Sequence, residues 1–275
     1  KIKIMKEINK KYLKEDQYKT TKYLEARIKI HQFTVNKFSF HQWIFDKLPI
    51  SKNASQKFKI LEVGCGTSAF WKQNIDKIKK NIDLVLTDFS EGMLEKAKKN
   101  VDKTKFNSVA FDVAEVEKLE KFKDTFDIVM CHNTVYHSED KNVALQNLSN
   151  CLKDENSIAT ITTNSEKHML NVYEIGRNLD SNFPTDRIID SFTEEVADVM
   201  LPNFFKVEKY VEEELLKVTD LEIMMNYVYS GTEPRGIKLK NSFDSDYRKI
   251  VSNEISKNGF FKIIKRSPLY ICKKK

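Results

Sequence analysis

The 275-residue chain is poor in the residues that build disulfide scaffolds and metal ribbons. It has four cysteines, Cys65, Cys131, Cys151 and Cys272, and no two of them form a CxxC pair. Their spacing suits neither a structural zinc site nor a disulfide framework, so free thiols in a reducing cytoplasm are the simplest reading. No apolar run approaches the ~20 residues that cross a bilayer. The opening stretch KIKIMKEINKKYLKED is basic and polar and lacks the apolar core of a signal peptide. It begins on Lys1 rather than Met, which allows for trimming at this end or for a start at Met5. Arginine is also scarce. Of 47 basic residues only Arg27, Arg177, Arg187, Arg235, Arg248 and Arg266 are arginines, and they are scattered. Arginine is the side chain suited to bidentate phosphate and base-edge contacts. The net charge of +7, carried by lysines spread along the chain, therefore reads as a solvated surface more than a nucleic-acid face.

What is present is a globular mix, 40% hydrophobic and 32% charged. The length suits one large domain or a core with added pieces. TTKYLEARIKIHQF carries Leu24, Ile28 and Phe33 at roughly helical spacing after an initial Thr, and FHQWIFDKL reads as a second short helix ending at Pro49. From residue 58 the rhythm changes. FKILEV is a short, nearly continuous apolar run, as expected of a strand buried on both faces. A glycine turn and a helix, WKQNIDKIKKN, follow. Then come DLVLT (strand), SEGMLEKAKKNV (helix), NSVAF (strand), FDIVM (strand), VALQNLSNCL (helix) and SIATITT (strand). This alternation predicts an α/β fold with a doubly wound, mostly parallel sheet, whose strand C-terminal ends share one ligand-binding edge. Beyond residue 165 a helix is expected from Glu166 to about Asn178. A second helix, begun by Ser191, runs through SFTEEVADVM. NFFKVEKYV reads as a strand, VTDLEIMMNYVYS as a helix with Leu221, Met224 and Met225 on its apolar stripe, and the terminal GFFKIIKRSPLYICKKK as one or two strands.

The strongest chemical signal is Leu61-Glu62-Val63-Gly64-Cys65-Gly66-Thr67, where the first strand turns toward the first helix of the alternating region. Glycines there let the backbone turn sharply and let a ligand approach without a Cβ in the way. Gly64, Gly66 and Ala69 also satisfy the dinucleotide pattern G-x-G-x-x-G/A, with Asp88 about twenty residues on, so the loop alone leaves two cofactors open. Asp88 closes the second strand, where a carboxylate accepts from ribose hydroxyls in either case.

The neighbouring text resolves the ambiguity by resemblance. Glu62 two residues before Gly64 resembles motif I, [DE]-x-G-x-G, of the class I S-adenosylmethionine-dependent methyltransferases. Asp88-Phe89-Ser90-Glu91-Gly92-Met93-Leu94 is similar to their motif II. Phe111-Asp112-Val113 ends the third strand where that family reads adenine. Phe126 through Asp140, with Cys131-His132-Asn133-Thr134-Val135-Tyr136-His137, looks like motif IV of the small-molecule branch, of the ubiquinone/menaquinone-biosynthesis type. Asn150-Cys151-Leu152-Lys153 looks like motif V. The resemblance covers residues 58–165 well and the rest weakly; it departs from the family at Thr67-Ser68, where a third glycine is usual.

The resemblance implies a Rossmann-like seven-stranded sheet with an antiparallel last strand, an N-terminal helical cap over residues 1–50, a cofactor-binding core over 51–165, and acceptor-site lid helices with the last strands over 166–275. It implies S-adenosyl-L-methionine as cofactor and no metal. Glu62 would hold the amino end of the methionine moiety, or is only a strand-end surface residue. Asp112 accepts from the adenine amine while the Val113 N–H meets a ring nitrogen, or Asp112 merely caps a turn. Phe89 and Met93 flank the adenine, or are ordinary core. His132 contacts the methionine portion or is structural. Arg27, one helical turn from Tyr23 and near Tyr18, pairs with the cofactor carboxylate or lies on the surface. His137, with Tyr136 beside it, is the candidate to take a proton from an attacking hydroxyl or amine, or else shapes its loop through Asp140 or backbone. His168 faces the acceptor or starts a surface helix. The expected activity is in-line methyl transfer to a small-molecule acceptor by a cytoplasmic monomer or homodimer. Three rivals remain open: an RNA or protein methyltransferase using the lysine-rich surface, an NAD-dependent oxidoreductase, and a non-catalytic cofactor-binding protein.

Overall fold

Phe58–Val63 (β1) alternates large aliphatic residues on both faces and has almost no exposed position, so it lies in the middle of a sheet. In the computed structural model of the protein, residues 22–53, 55–184 and 188–275 are described. Tyr18, Thr20, Thr21 and Arg187 lie outside them, as does the side chain of Leu24. β1 pairs in parallel with Ile82–Asp88 (β2) and with Ile128–His132 (β4). β2 pairs in parallel with Ser108–Val113 (β3), and β4 in parallel with Ile158–Thr162 (β5). Phe205–Val218 (β6) and Phe261–Lys274 (β7) complete a seven-stranded sheet of order β3-β2-β1-β4-β5-β7-β6. β7 runs antiparallel to β5, with Thr162 opposite Leu269. This is the Rossmann-like architecture that the alternating pattern and the resemblance imply.

By its internal contacts the chain forms two units. The first comprises residues 38–165, 191–212 and 267–275. Its sheet is covered on both faces. One face, with Leu61, Val63, Val129 and Cys131, packs on Ala144, Leu145 and Leu148 of Lys141–Cys151 and on Ala197 of Glu194–Met200. The other, with Ile60, Leu84, Leu86 and Met130, packs on Ile44 and Phe45 of Phe40–Lys47, on Trp71 of Ala69–Asn74 and on Leu94 and Ala97 of Glu91–Asn100. In chain order, with Lys22–Lys29 as α1, these helices are α2 (40–47), α3 (69–74), α4 (91–100), α5 (141–151) and α7 (194–200); α6 is Leu170–Leu179. Side-chain caps set several starts. Ser39 and Gln42 form a reciprocal capping box on α2, Ser90 accepts from the Met93 N–H at α4, and Asp140 accepts from Asn142 and Val143 at α5.

The second unit comprises residues 1–37, 166–190 and 213–266, described from residue 22. It has its own core: Ile30, Met169, Val172, Leu216, Val218, Met224, Met225, Tyr247, Val251 and Ile263 are all buried. Here α1, α6, Leu221–Ser230 (α8) and Phe243–Asn258 (α9) supply the helices. The chain passes between the units within β6 and within β7. Grouping by contacts therefore interleaves segments that the sequence reading divided at residues 50 and 165, and it places Phe40–Lys47 with the cofactor-core strands.

Several elements differ from the sequence expectation. The helix after β1 stops at Asn74, with a 3-10 turn over Ile75–Lys77. α6 starts at Leu170 rather than Glu166, because Met169 adopts a left-handed conformation, φ 52°. α7 is capped by Thr193 and not by Ser191, whose hydroxyl donates instead to the Tyr136 carbonyl. The C-terminal segment is a single strand of 14 residues. α9 had no counterpart in the sequence reading.

Candidate active site

The four strands β1 to β4 are mutually parallel, so their C-terminal ends, and the residues Glu62, Asp88, Asp112, Val113 and His132, come to one edge. Register makes this concrete. Val63 pairs with Thr87, Thr87 with Asp112, Asp88 with Val113 and Glu62 with Met130.

The glycine loop begins here. The Gly64 and Cys65 N–H groups both donate to the Thr87 carbonyl, at 2.8 and 2.9 Å, so the loop is stitched to the end of β2. Gly64 has φ +72°, and a Cβ on it would lie 2.3 Å from Thr134 Oγ1. Only glycine fits both the dihedral and the space. Gly66, at φ +54°, differs: a Cβ there would meet nothing within 4 Å. Its glycine is required by conformation, and open space lies beside it.

Asp88 is 5% exposed and organises that loop. Its Oδ2 accepts from the Gly66 N–H and its Oδ1 from the Ser90 N–H, both at 2.9 Å. Burial pushes its carboxyl up, and the two main-chain donors work in the opposite direction. A carboxylate has four lone-pair directions, so acceptor capacity remains after both bonds. Glu62 is not a surface residue: it is 4% exposed, and its Oε2 accepts from the Trp71 indole N–H at 2.7 Å. Burial, with the Asp88 charge adding to it and the indole opposing it, pushes Glu62 up to about 8. No cationic side chain offsets either acid among the described residues.

Met93 is buried in the first turn of α4 and Phe89 is half-buried just before it. Val113 is 49% exposed at the end of β3, an unusual exposure for an aliphatic strand residue. Asp112 is ion-paired with Lys121. His132 Nε2 lies 2.9 Å from Thr160 Oγ1, and Phe70 stands edge-on to its ring at 5.7 Å. Burial pushes His132 down to about 3, so the imidazole is neutral. Its Nδ1 is buried without a hydrogen-bond partner among the described residues. After β4 the chain turns through a 3-10 segment, Val135–His137, which sets the Tyr136 and His137 rings 4.6 Å apart and half-buried.

Two expected site residues lie in the other unit. Arg27 donates from Nε to Ser230 Oγ at 3.3 Å and from a terminal nitrogen to the Ser230 carbonyl at 2.9 Å, which accounts for its charge as a cap on the end of α8. His168 Nδ1 lies 3.2 Å from the Arg266 carbonyl. Trp71 and Thr134 were missed in the sequence reading. Trp71 stands five residues after the second glycine, and Thr134 within the motif IV text, but no local pattern marks an indole as a carboxylate donor.

The arrangement suits a ligand with hydroxyls and a positive charge. It does not suit a pyrophosphate, because two buried acids face the loop that a dinucleotide's anion would enter. A crossover sheet with this site at the end of its first strands is the architecture of class I methyltransferases. A family model described as a methyltransferase domain matches residues 54–196, and the chain belongs to that family. It is an S-adenosylmethionine-dependent methyltransferase. No curated protein matches the chain in sequence. Among solved structures, a methyltransferase candidate from Bacillus halodurans is similar at 12% identity and a TM-score of 0.54, covering 82% of this chain and 96% of that one. The YcgJ protein of Bacillus subtilis is similar at 13% identity and 0.53, over 82% and 96%. Phosphoethanolamine N-methyltransferase 2 of Haemonchus contortus, solved with S-adenosyl-L-methionine, is similar at 16% and 0.52, over 97% of this chain and 60% of that one.

Proposed function

We propose that the protein transfers the methyl group to a small-molecule acceptor, with Tyr136 and His137 at the acceptor side. The observation that carries this reading is the turn after β4: one phenol and one imidazole, half-buried and 4.6 Å apart, at the ligand edge of the sheet. The charge pattern agrees. Lysines of this unit are paired with interleaved acids, as Lys77 with Asp46, Lys98 with Glu95, Lys153 with Asp127 and Lys274 with Asp124. Acids interleaved with lysines in this way lower the local positive field that a nucleic-acid backbone would meet at these positions. The four cysteines are unpaired and buried, which supports a reducing, cytoplasmic setting. No helix of the described residues is long and apolar enough to cross a membrane.

In this reading the bound sulfonium supplies an already activated methyl group. The chain's residues bind and orient. Glu62 takes the amino end, Asp88 the ribose hydroxyls, and Asp112 with the Val113 N–H the adenine, flanked by Phe89 and Met93. Gly64 and Gly66 let the backbone approach. His132, kept neutral by burial, presents a hydrogen-bonding atom without adding positive charge next to a cationic ligand. His137 Nδ1 or Nε2 receives the proton when the acceptor is a hydroxyl or ammonium that must lose one. Alignment and exclusion of water do most of the work of an in-line displacement.

The test is transfer of tritiated methyl from labelled S-adenosylmethionine to a cell extract separated by size. Label is expected in the small-molecule fraction. Label confined to RNA or protein would overturn the acceptor class.

A further inference from the structure

We propose that cofactor capture is proton-linked: without ligand Glu62 holds a proton, which it releases when the cofactor's cationic amino end arrives, and Trp71 is the positioning residue that sets how readily it does so. This rests on the cofactor reading above and goes beyond it to how the site is regulated.

The geometry is a pair of buried acids with no counter-cation among the described residues. Glu62, at the end of β1, faces Asp88 from β2, Cys65 from the loop, Trp71 from α3 and Cys131 from β4, the residue before His132. None of these supplies positive charge. Burial pushes both thiols up, so they stay neutral, and it keeps His132 neutral as well. Two ionised carboxylates without a cation are costly in a low-dielectric setting. One of them therefore takes a proton, and the donors decide which. Asp88 receives two main-chain N–H groups, which favour its charged form. Glu62 receives a single indole N–H. The proton goes to Glu62, in keeping with its upward shift to about 8.

Trp71 is fully buried, with Phe70 and Phe106 edge-on to its ring at 5.1 and 5.5 Å, so the indole N–H is fixed in direction. It donates to the ionised carboxylate and opposes protonation. When an ammonium group arrives, the O–H bond of Glu62 breaks, its proton passes to solvent, and the carboxylate pairs with the ammonium, which keeps its own protons. Ligand affinity then rises with pH until Glu62 is ionised without help.

The experiment is calorimetric titration with S-adenosylhomocysteine at about pH 7 in two buffers of different ionisation enthalpy, repeated from about pH 6 to 7.5. We expect close to one proton released per ligand and a dissociation constant falling toward tenfold per pH unit. Glu62→Gln is expected to release none and to show a flat profile; because it binds the same ligand, it also cancels the ligand's own titration. 5′-Methylthioadenosine, which lacks the amino-acid tail, is expected to bind wild type without proton release. Trp71→Phe is expected to weaken binding and to release more protons per ligand than wild type at about pH 7.5, where wild-type Glu62 is already partly ionised. A proton count at about pH 7.5 no higher than that of wild type would remove Trp71 from the proposal. Wild-type binding of S-adenosylhomocysteine with no buffer-dependent heat and a flat profile would overturn the linkage while leaving the cofactor reading intact. No binding at all would overturn both.

Discussion

Glu62 and Glu214 are both buried acids, 4% and 5% exposed, yet they sit in opposite electrostatic situations. Glu214, on β6, pairs with Lys265 of β7 at 2.9 Å, both side chains shielded, and also accepts from Thr34 at 3.4 Å. Among the described residues, Glu62 faces a second acid and has only an indole as donor. The first arrangement is complete within the chain and reads as structure. The second lacks a cation that the fold does not supply and reads as a place for a ligand. A buried acid is thus informative through what is missing around it, not through its burial.

Breaking the complete pair should have the largest effect. Lys265→Met leaves Glu214 buried and unpaired, so unfolding by urea should show a loss of about 3–5 kcal/mol. Adding Glu214→Leu should recover most of it; a single-variant loss under about 1 kcal/mol would show that the pair is not structural. Next comes Gly64→Ala in the cofactor loop, where the new methyl would lie 2.3 Å from Thr134 at a left-handed dihedral. Strain of about 1–3 kcal/mol should appear as a lower melting temperature and weaker stabilisation by S-adenosylhomocysteine. Asp88→Ala removes a charged acceptor, and calorimetry should show at least about 1 kcal/mol less cofactor affinity; an unchanged value would remove Asp88 from the ribose site.

The incomplete pair should leave a signature in pH rather than in raw stability. Glu62 in the folded protein binds its proton more tightly than in the unfolded chain, its carboxyl moving from 4.5 to about 8. Its contribution to stability is therefore fully present below about pH 4.5 and lost as pH rises through about 8. Melting curves of ligand-free wild type should fall across that window relative to Glu62→Gln; parallel curves would contradict it. The smallest effect belongs to a solvent-exposed pair such as Lys77 with Asp46, 40% and 54% exposed, where Lys77→Ala should change stability by less than about 0.5 kcal/mol.

The sheet was legible because β1, β2, β4 and β5 are short and apolar on both faces, and because caps such as Ser90 and Asp140 sit where local chemistry puts them. Other features depended on distant partners. Ser191 with Glu194 three residues later looks like a capping box, but its hydroxyl is taken by the Tyr136 carbonyl and Thr193 caps α7 instead. Helix α9 carries a readable signal: Phe243, Tyr247 and Val251, four residues apart, are all buried, and Gly259 closes it at φ 80°. The acids and amides between them hid the stripe. In the site, the glycines and Asp88 were readable from their pattern. The Trp71 donor, the Lys121 partner of Asp112 and the Ser230 partner of Arg27 were not, since each is a tertiary contact that sequence spacing does not encode.

The four thiols have a practical consequence. Cys65 is 7% exposed and Cys131, Cys151 and Cys272 are fully shielded, while burial raises their titration, for Cys151 to about 12. Alkylating reagents and mild oxidants require accessible thiolate, so the native chain is a silent background for site-directed labelling. A cysteine placed at Val199, which is 74% exposed on α7, would be the single fast-reacting handle, letting a fluorophore or spin probe follow ligand capture without first stripping the natural sulfurs.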